Sequence, residues 1–153
     1  MAPDATQDAT HEVIEALGRL LATSYTLYLK THNYHWNVTG PMFTTLHTMF
    51  EMQYTELALA VDEIAERIRA LDAYAPGGYA EFTRLSAVKD EAGHPLAIDM
   101  IRALAADQRI VETSARAVIR AAEAAGDQAS ADLGVRRLQI HEKNGWMLRS
   151  HLA

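Results

Sequence analysis

Four side chains between residues 41 and 71 have the types and spacing of metal ligands: His47, Glu51, Asp62 and Glu66. At about 100° of rotation per helical residue, the three carboxylates lie about 40°, 60° and 100° from His47, so all four share one stripe. His47 with Glu51, and Asp62 with Glu66, are i,i+4 pairs that can each point at one spot. Imidazole with carboxylate suits iron, manganese or zinc. The alternative interpretation is an ordinary solvated helix face.

Distance along the helix indicates how such ligands could meet. His47 and Asp62 are 15 residues apart, which is ~22 Å along a helix axis, whereas metal ligands lie within about 2.0–2.2 Å of their ion. One copy of the helix therefore cannot bring both pairs to one ion. His47 with Glu66, and Glu51 with Asp62, have the same midpoint in the sequence, between residues 56 and 57. Two antiparallel copies would therefore place His47 opposite the partner's Glu66 and Glu51 opposite the partner's Asp62. This pairing predicts two equivalent sites per dimer.

A second histidine precedes this helix in the run NYHWNVTGP. His35 lies near the end of the preceding helical stretch, just before the turn, and could approach His47. Considered alone, His35 is more simply explained as a structural residue than as a ligand. Together with His47 and the paired carboxylates, we interpret it as a further ligand.

The elements that would position these residues are predicted to be helices. The few Gly and Pro residues divide the chain into stretches rich in Ala, Leu, Glu, Arg and Met, which favour helix. No strand pattern or internal repeat is present. Four long helices with a long middle connection, carrying one short helix, predict an all-α four-helix bundle with a crossover. The predicted helices span about residues 8–38, 41–71, 79–85, 95–125 and 130–149.

Helix ends and buried stripes can also be predicted. Pro41 suits the first turn of the second helix, Gly126 suits a C-terminal cap, and Ser130 or Asp132 suits the cap of the last helix. Gly134 and Gly145 each cost that helix about 1 kcal/mol relative to alanine. Three- and four-residue spacing predicts that the following residues are buried: Val13, Leu17, Leu20, Ser24, Leu27, Ile101, Leu104, Val111, Ala115, Val118 and Ala122.

Composition narrows the class of protein. The chain has 153 residues, enough for one domain over residues 1–153 with a short acidic N-terminal tail. Lys plus Arg number 14 against 20 Asp plus Glu, which gives a net charge of -6 and favours cations over nucleic acid. The absence of Cys excludes disulfides and thiolate sites. Without an apolar run of membrane-spanning length or a signal peptide, we expect a soluble, cytoplasmic protein.

The runs NYHWNVTGPMFTTLHTMFE and DEIAERI, with the ending HEKNGWMLRS, resemble the Dps family of miniature ferritins. The family's ferroxidase pattern is a His-Trp pair, a second His twelve residues later, and then Asp and Glu in the same helix. Here those positions are His35-Trp36, His47, Asp62 and Glu66. The resemblance covers nearly the whole chain.

The resemblance implies a ferritin-like bundle that assembles into a hollow homododecamer. It implies that the chain is a ferroxidase, which oxidises Fe(II), preferably with hydrogen peroxide, at two-fold interfaces and stores ferric oxide inside. His35 and His47 would come from one subunit, and Asp62 and Glu66 from its neighbour. Zinc or manganese are alternative metals for the site. Position 51 is often Asp in the family, and Glu reaches one methylene farther. Glu51 is therefore predicted to be an auxiliary ligand, which either binds a second iron directly or shifts its geometry.

Other residues receive roles from their positions, Trp36 as the neighbour of His35 and His32 on the same helix face as His35. Trp36 is predicted either to donate electrons to stray oxidising equivalents or to pack in the dimer interface. His32 is predicted to support or pack beside the ligands. Glu123, Asp127 and Asp132 lie where the family has acidic three-fold pores that admit Fe(II), with a capping and loop cluster as the alternative.

DNA binding is the competing function for this family. Many members grip DNA with a basic tail. This chain has no Lys or Arg before Arg19, and only residues 150–153, without Lys or Arg, follow Arg149. We therefore expect weak or absent DNA binding, which a strongly salt-sensitive gel shift at low ionic strength would disprove. A nucleoid-associated DNA-protection protein with incidental iron binding, and a helical scaffold with a decayed iron site, remain the alternatives.

Overall fold

The computed structural model describes residues 4–153 and contains five α-helices. All four long helices and the short one fall where the sequence predicts them, and no strand occurs within residues 4–153. Their bounds are α1 Ala5–Asn37, α2 Phe43–Ala70, α3 Tyr79–Leu85, α4 Ala97–Ala125 and α5 Gln128–Ser150.

The four long helices form a bundle around one apolar core. α1 packs against α2 and α4, and α4 packs against α5. Every residue of the predicted buried stripes is buried, including Val13, Leu17, Ile101 and Val118 with no exposed surface. The period of 3.6 residues per turn places these side chains on one face of each helix, and burial of that face stabilises the bundle.

Several predicted helix ends need correction by a few residues. α1 begins at Ala5 rather than near Asp8, because the Asp4 carboxylate accepts a hydrogen bond from the Thr6 N–H at 3.1 Å. The part of the predicted acidic tail in residues 1–3 lies outside the described residues. Pro41 lies in the turn before α2, not in its first turn, and α4 starts at Ala97 rather than Pro95.

The start of α5 was predicted with the wrong cap. Asp127, not Ser130 or Asp132, is the N-cap, and its carboxylate accepts a hydrogen bond from the Ser130 N–H at 3.0 Å. Gly126 adopts the predicted left-handed conformation, φ 68°, and ends α4. The turn between α4 and α5 therefore consists of residues 126 and 127 alone.

The crossover from α2 to α4 runs over the outside of α1. Tyr25 of α1 packs on Phe82 of α3 with ring centroids 4.9 Å apart, and the Ala87 N–H donates to the Thr23 hydroxyl at 3.1 Å. These contacts hold the connection against the bundle. No helix within residues 4–153 combines the length and the apolar character that crossing a membrane requires.

Close packing between α4 and α5 explains one of the two α5 glycines. A Cβ at Gly134 would lie 2.8 Å from Ile119 Cγ1 and 3.2 Å from the Ala115 carbonyl oxygen. A Cβ at Gly145 would meet chiefly the flexible end of Arg149 at 2.8 Å. Gly134 therefore allows α4 and α5 to approach closely, whereas their close approach does not require glycine at position 145.

We expect opposite effects of alanine at these two glycines. Gly134→Ala should lower the free energy of unfolding by about 1–2 kcal/mol, because overpacking against α4 outweighs the gain in helix propensity. Gly145→Ala should leave it unchanged or raise it by up to about 1 kcal/mol. Urea unfolding of both variants measures the difference, and equal stability of the two would contradict this packing argument.

A buried polar network crosses the bundle between α2, α4 and α5. His141 has no exposed surface, and its Nδ1 lies 2.7 Å from Gln108 Oε1. Its Nε2 lies 3.1 Å from Arg137 Nη2, and Arg137 also donates to both carboxylate oxygens of Glu56. Because a guanidinium can only donate, Nε2 must accept, and the His141 ring is neutral with its proton on Nδ1.

The neutral state of His141 predicts a pH dependence of stability. Burial, reinforced by the Arg137 charge, lowers the pKa of His141 to about 3. An unfolded histidine takes up a proton below about pH 6.5, whereas folded His141 does not until about pH 3. The unfolded state therefore binds more protons in this window, and the free energy of unfolding should fall as the pH drops through it, by at most about 1.4 kcal/mol per pH unit.

Substitution of His141 isolates this contribution. Between pH 7 and pH 4, the free energy of unfolding in urea should fall less for His141→Gln than for the wild type. Glutamine can hydrogen-bond to Gln108 but does not titrate. Parallel curves for the two proteins would show that His141 does not carry the effect.

Candidate metal centre

The end of α1 and the start of α2 bring the two predicted histidine ligands together. The two helices are joined by a tight turn over residues 38–42, in which Gly40 has a φ of 110° that favours glycine. The chain therefore reverses at once, and His35 on α1 faces His47 on α2. Their imidazole rings stack with centroids 3.8 Å apart and an angle of 14° between planes.

Each histidine is held by the backbone of the other. Nδ1 of His35 lies 2.7 Å from the His47 carbonyl oxygen, and Nδ1 of His47 lies 2.7 Å from the His35 carbonyl oxygen. A carbonyl oxygen only accepts, so both Nδ1 atoms carry protons and donate. In a neutral ring with its proton on Nδ1, the lone pair lies on Nε2, which is then the nitrogen available to a metal ion.

The reciprocal bonds also fix the direction of both rings. A metal-binding histidine commonly donates its second ring nitrogen to a carbonyl or carboxylate, which orients the ring and raises its basicity as a ligand. His35 is 93% buried, since only 7% of its surface is exposed. The backbone bonds thus hold both rings in fixed directions beside each other.

Aromatic side chains surround the pair on both helices. Phe43 stacks on His47 at 5.0 Å, and Tyr54 lies edge-on to His35 at 5.1 Å. His32 lies between the rings of Tyr54, at 4.1 Å, and Trp36, at 3.9 Å. Burial lowers the pKa of His32, and the nearby His35 lowers it further, which favours the neutral ring. His32 has the packing position that the sequence predicts.

Phe43 and Tyr54 were not predicted from the sequence as neighbours of the site. Tyr54 lies seven residues after His47, on the same helix face, and that spacing is the signal that could have identified it. Burial and the Glu51 carboxylate raise the pKa of Tyr54, so its phenol stays protonated.

The three predicted carboxylate ligands lie apart from the histidine pair within one chain. Glu51, Asp62 and Glu66 are all exposed on α2, and Asp62 also lines an apolar cleft next to the crossover. Within residues 4–153, no three His, Asp or Glu side chains come together around a common point. In one chain, His35 and His47 therefore lie at one end of α2, and Asp62 and Glu66 lie toward the other end.

The predicted pore residues lie around the turn between α4 and α5. Glu123 and Asp132 are exposed, and Asp132 pairs with Arg136 at 3.2 Å. Asp127 accepts hydrogen bonds from Ser130 and from Arg67 at 3.0 Å. Burial acts to raise the pKa of Asp127, but its bonds to Ser130 and Arg67 outweigh that effect, and the pKa lies below its ordinary value. Asp127 thus has a structural role, and the pore assignment remains a prediction.

Solved structures and curated sequences resemble this chain over nearly its full length. Dps from Thermosynechococcus elongatus superimposes with a TM-score of 0.94 at 33% identity, over 98% of this chain and 96% of that one. A profile for the ferritin-like domain matches residues 14–153. The DNA protection during starvation protein 2 of Bacillus anthracis is 36% identical over 92% of this chain and 97% of its own length. The chain belongs to the Dps family.

A second structure extends the comparison to metal chemistry. The Dps protein of Vibrio cholerae, described as a member of the superfamily of ferritin-like diiron-carboxylate proteins, superimposes with a TM-score of 0.91 at 29% identity. It matches all of this chain and 98% of its own. The ferritin-like four-helix bundle predicted from the sequence is confirmed, as is the resemblance to Dps.

Proposed function

We propose that this protein is a ferroxidase that oxidises Fe(II) with hydrogen peroxide and stores the ferric product, which protects DNA from Fenton chemistry. The observation that carries the proposal is the histidine pair. The Nδ1 atoms of His35 and His47 each bond to the other residue's carbonyl oxygen, which leaves the Nε2 atoms of two stacked rings for a metal ion. Such an arrangement is suited to an iron ion that needs further oxygen ligands.

The missing ligands are proposed to come from a second copy of the chain. Asp62 and Glu66 lie as far from the midpoint of α2 on one side as Glu51 and His47 do on the other. Antiparallel pairing of two α2 helices about a two-fold axis therefore brings the partner's Asp62 and the partner's Glu66 to the histidine pair. Glu51 would then lie opposite the partner's Asp62 as an auxiliary ligand for a second iron.

The proposed reaction consumes both reagents of Fenton chemistry. Two Fe(II) ions each give one electron to one hydrogen peroxide, whose O–O bond breaks to form two hydroxide ions. Carboxylate oxygens stabilise the Fe(III) product, and two neighbouring irons supply both electrons without releasing a hydroxyl radical. Zinc or manganese binding to the same ligands would compete with iron.

Storage requires a closed assembly, which we propose to be a hollow dodecamer. Twelve chains of 16.9 kDa give a particle of about 200 kDa if the symmetry closes. The net charge of -6 favours the approach of Fe(II), and Glu123 with Asp132 would add local negative charge at its entrance. The same charge disfavours DNA, so protection would come from removing iron and peroxide in the cytoplasm rather than from covering the nucleoid.

The proposed function is tested by anaerobic loading with Fe(II), followed by hydrogen peroxide or, separately, by oxygen. Ferric absorbance should rise quickly with peroxide and slowly with oxygen in the wild type, and His47→Ala with Asp62→Ala should lose the fast rise. His11→Ala serves as the matched control, because His11 is exposed and pairs with the exposed Glu15, away from the histidine pair. A wild-type rate no faster than that in protein-free buffer would refute the ferroxidase proposal.

A further inference from the structure

Trp36 is a large apolar side chain that one chain leaves open to water beside the histidine pair. Its surface is 59% exposed, and its indole ring packs on the His32 ring at 3.9 Å. Burying a tryptophan removes 150–250 Å² from water, so leaving it exposed forfeits a large stabilisation. An exposed tryptophan next to a proposed interface is a candidate anchor for a partner.

The second feature is the cleft beside the crossover, which we name the α2–crossover cleft. It has a volume of about 360 Å³ and is mostly apolar, with Asp62 as its single carboxylate. A planar apolar group with one N–H donor matches this lining, because Asp62 can accept the hydrogen bond while the walls contact the ring. The walls are formed by Leu21, Tyr25, Val61, Ala65, residues 76–79 and Phe82.

The proposed metal ligands bring these two features together across the two-fold axis. If one iron binds the His35 and His47 nitrogens and the carboxylate of the partner's Asp62, all these atoms lie within about 4 Å of one another. Asp62 lines the cleft, and Trp36 follows His35 in the chain. This pairing would place the partner's cleft close to Trp36.

The register along the helices agrees with this placement. The packing of Trp36 on His32 directs the indole back along α1, toward the level of His47 and Glu51 on α2. In the antiparallel pairing, that level lies opposite the partner's Asp62 and the partner's Glu66, which is where the cleft lies.

We propose that Trp36 of each subunit inserts into the α2–crossover cleft of its two-fold partner, with its indole N–H donating to the partner's Asp62. Trp36 would then be a positioning residue, because it anchors the chain that supplies the carboxylates. The inference rests on the proposed function, since it uses the shared iron ligands to set the pairing. It also gives the cleft an occupant, namely a second copy of this chain.

Tryptophan fluorescence tests the insertion directly. The chain has two tryptophans, so Trp146→Phe leaves Trp36 as the only reporter. In the assembled protein, Trp36 should emit at short wavelength and resist quenching by acrylamide, and both properties should be lost on dissociation. Trp36 emission in the assembled protein that is as red-shifted and as quenchable as in dissociated chains would overturn the proposal.

A variant that fills the cleft, made in the Trp146→Phe protein, provides a second test. Ala65→Phe fills the cleft and should expel Trp36, which red-shifts its emission and weakens subunit pairing by at least about 30-fold, the effect expected of an interface hot spot. Ala70→Phe, at the exposed end of the same helix and outside the cleft, is the matched control and should change neither. Circular dichroism verifies that both variants fold.

Ferric absorbance on the same samples separates this inference from the ferroxidase proposal. An assembled wild type that oxidises iron while Trp36 stays quenchable would refute the insertion alone. A wild type with protected Trp36 but no peroxide-driven oxidation would refute the ferroxidase proposal and leave the insertion supported as a subunit contact.

Discussion

Replacing His47 with alanine is expected to slow peroxide-driven iron oxidation by on the order of 100-fold. The loss of groups that merely support a metal ligand already costs 10–100-fold in affinity or activity, and His47 is proposed as a ligand itself. The substitution also removes the donor to the His35 carbonyl, and the His35 ring loses its stacking partner. Stopped-flow measurement of ferric absorbance after anaerobic Fe(II) loading gives the rate.

The matched comparison is His47→Gln, together with the exposed His11→Ala. Glutamine can still donate toward the His35 carbonyl but presents no imidazole nitrogen, so the rate should fall as far as in His47→Ala while the fold is better preserved. His11→Ala should keep the wild-type rate. Wild-type rates in both His47 variants would contradict the assignment of His47 as a ligand.

The largest expected loss of stability lies away from the metal centre, at a buried ion pair between α1 and α4. Lys30 Nζ lies 2.9 Å from Asp107 Oδ2, with 9% and 8% of the two side chains exposed, and also donates to the Lys89 carbonyl at 3.0 Å. Lys30→Met keeps the aliphatic volume but leaves the Asp107 carboxylate buried without its counter-ion. We expect the free energy of unfolding to fall by about 3–5 kcal/mol.

Two further variants identify the cause of that loss. Lys30→Met combined with Asp107→Leu removes both charges and should recover most of the stability. Arg102→Ala breaks the exposed pair with Asp99, whose side chains are 63% and 52% exposed, and should cost no more than about 1 kcal/mol. If urea unfolding finds Lys30→Met no less stable than Arg102→Ala, the buried pair does not stabilise this fold.

The pH dependence of Lys30→Met should report the freed carboxylate. Burial raises the pKa of Asp107, and Lys30 opposes that rise. Without Lys30, the pKa should rise further. A raised folded pKa means that the folded state takes up a proton more readily than the unfolded state, so the destabilisation should shrink as the pH falls toward the folded pKa.

Local periodicity made the helices and their buried faces predictable. The stripe from Val13 to Leu27 repeats every three or four residues, and such a repeat has one way to bury its apolar side chains. The approach of His35 and His47 was also predictable, because a short turn with Gly40 and Pro41 joins two helices that must run antiparallel.

Contacts that depend on register between distant helices could not be predicted. Nothing in the sequence places Lys30 of α1 beside Asp107 of α4, since their separation along the chain leaves the sliding of one helix along the other undetermined. The cap of α5 shows the same limit on a smaller scale. Asp127, Ser130 and Asp132 are all residue types that cap helices well. The structure uses Asp127, and Arg67 from the distant α2 bonds to both Asp127 and Ser130.

The central claim, that one iron site draws ligands from two chains, is tested most directly by mixing two inactive variants. His47→Ala lacks a histidine ligand, and Asp62→Ala lacks a carboxylate from the other end of α2. When equal amounts are dissociated and reassembled together, each mixed pair regains one intact site and one doubly defective site. Random pairing should therefore restore about one quarter of the wild-type peroxide-driven rate. Co-assembly, verified by native mass spectrometry, with no recovery of activity would contradict a site shared between subunits.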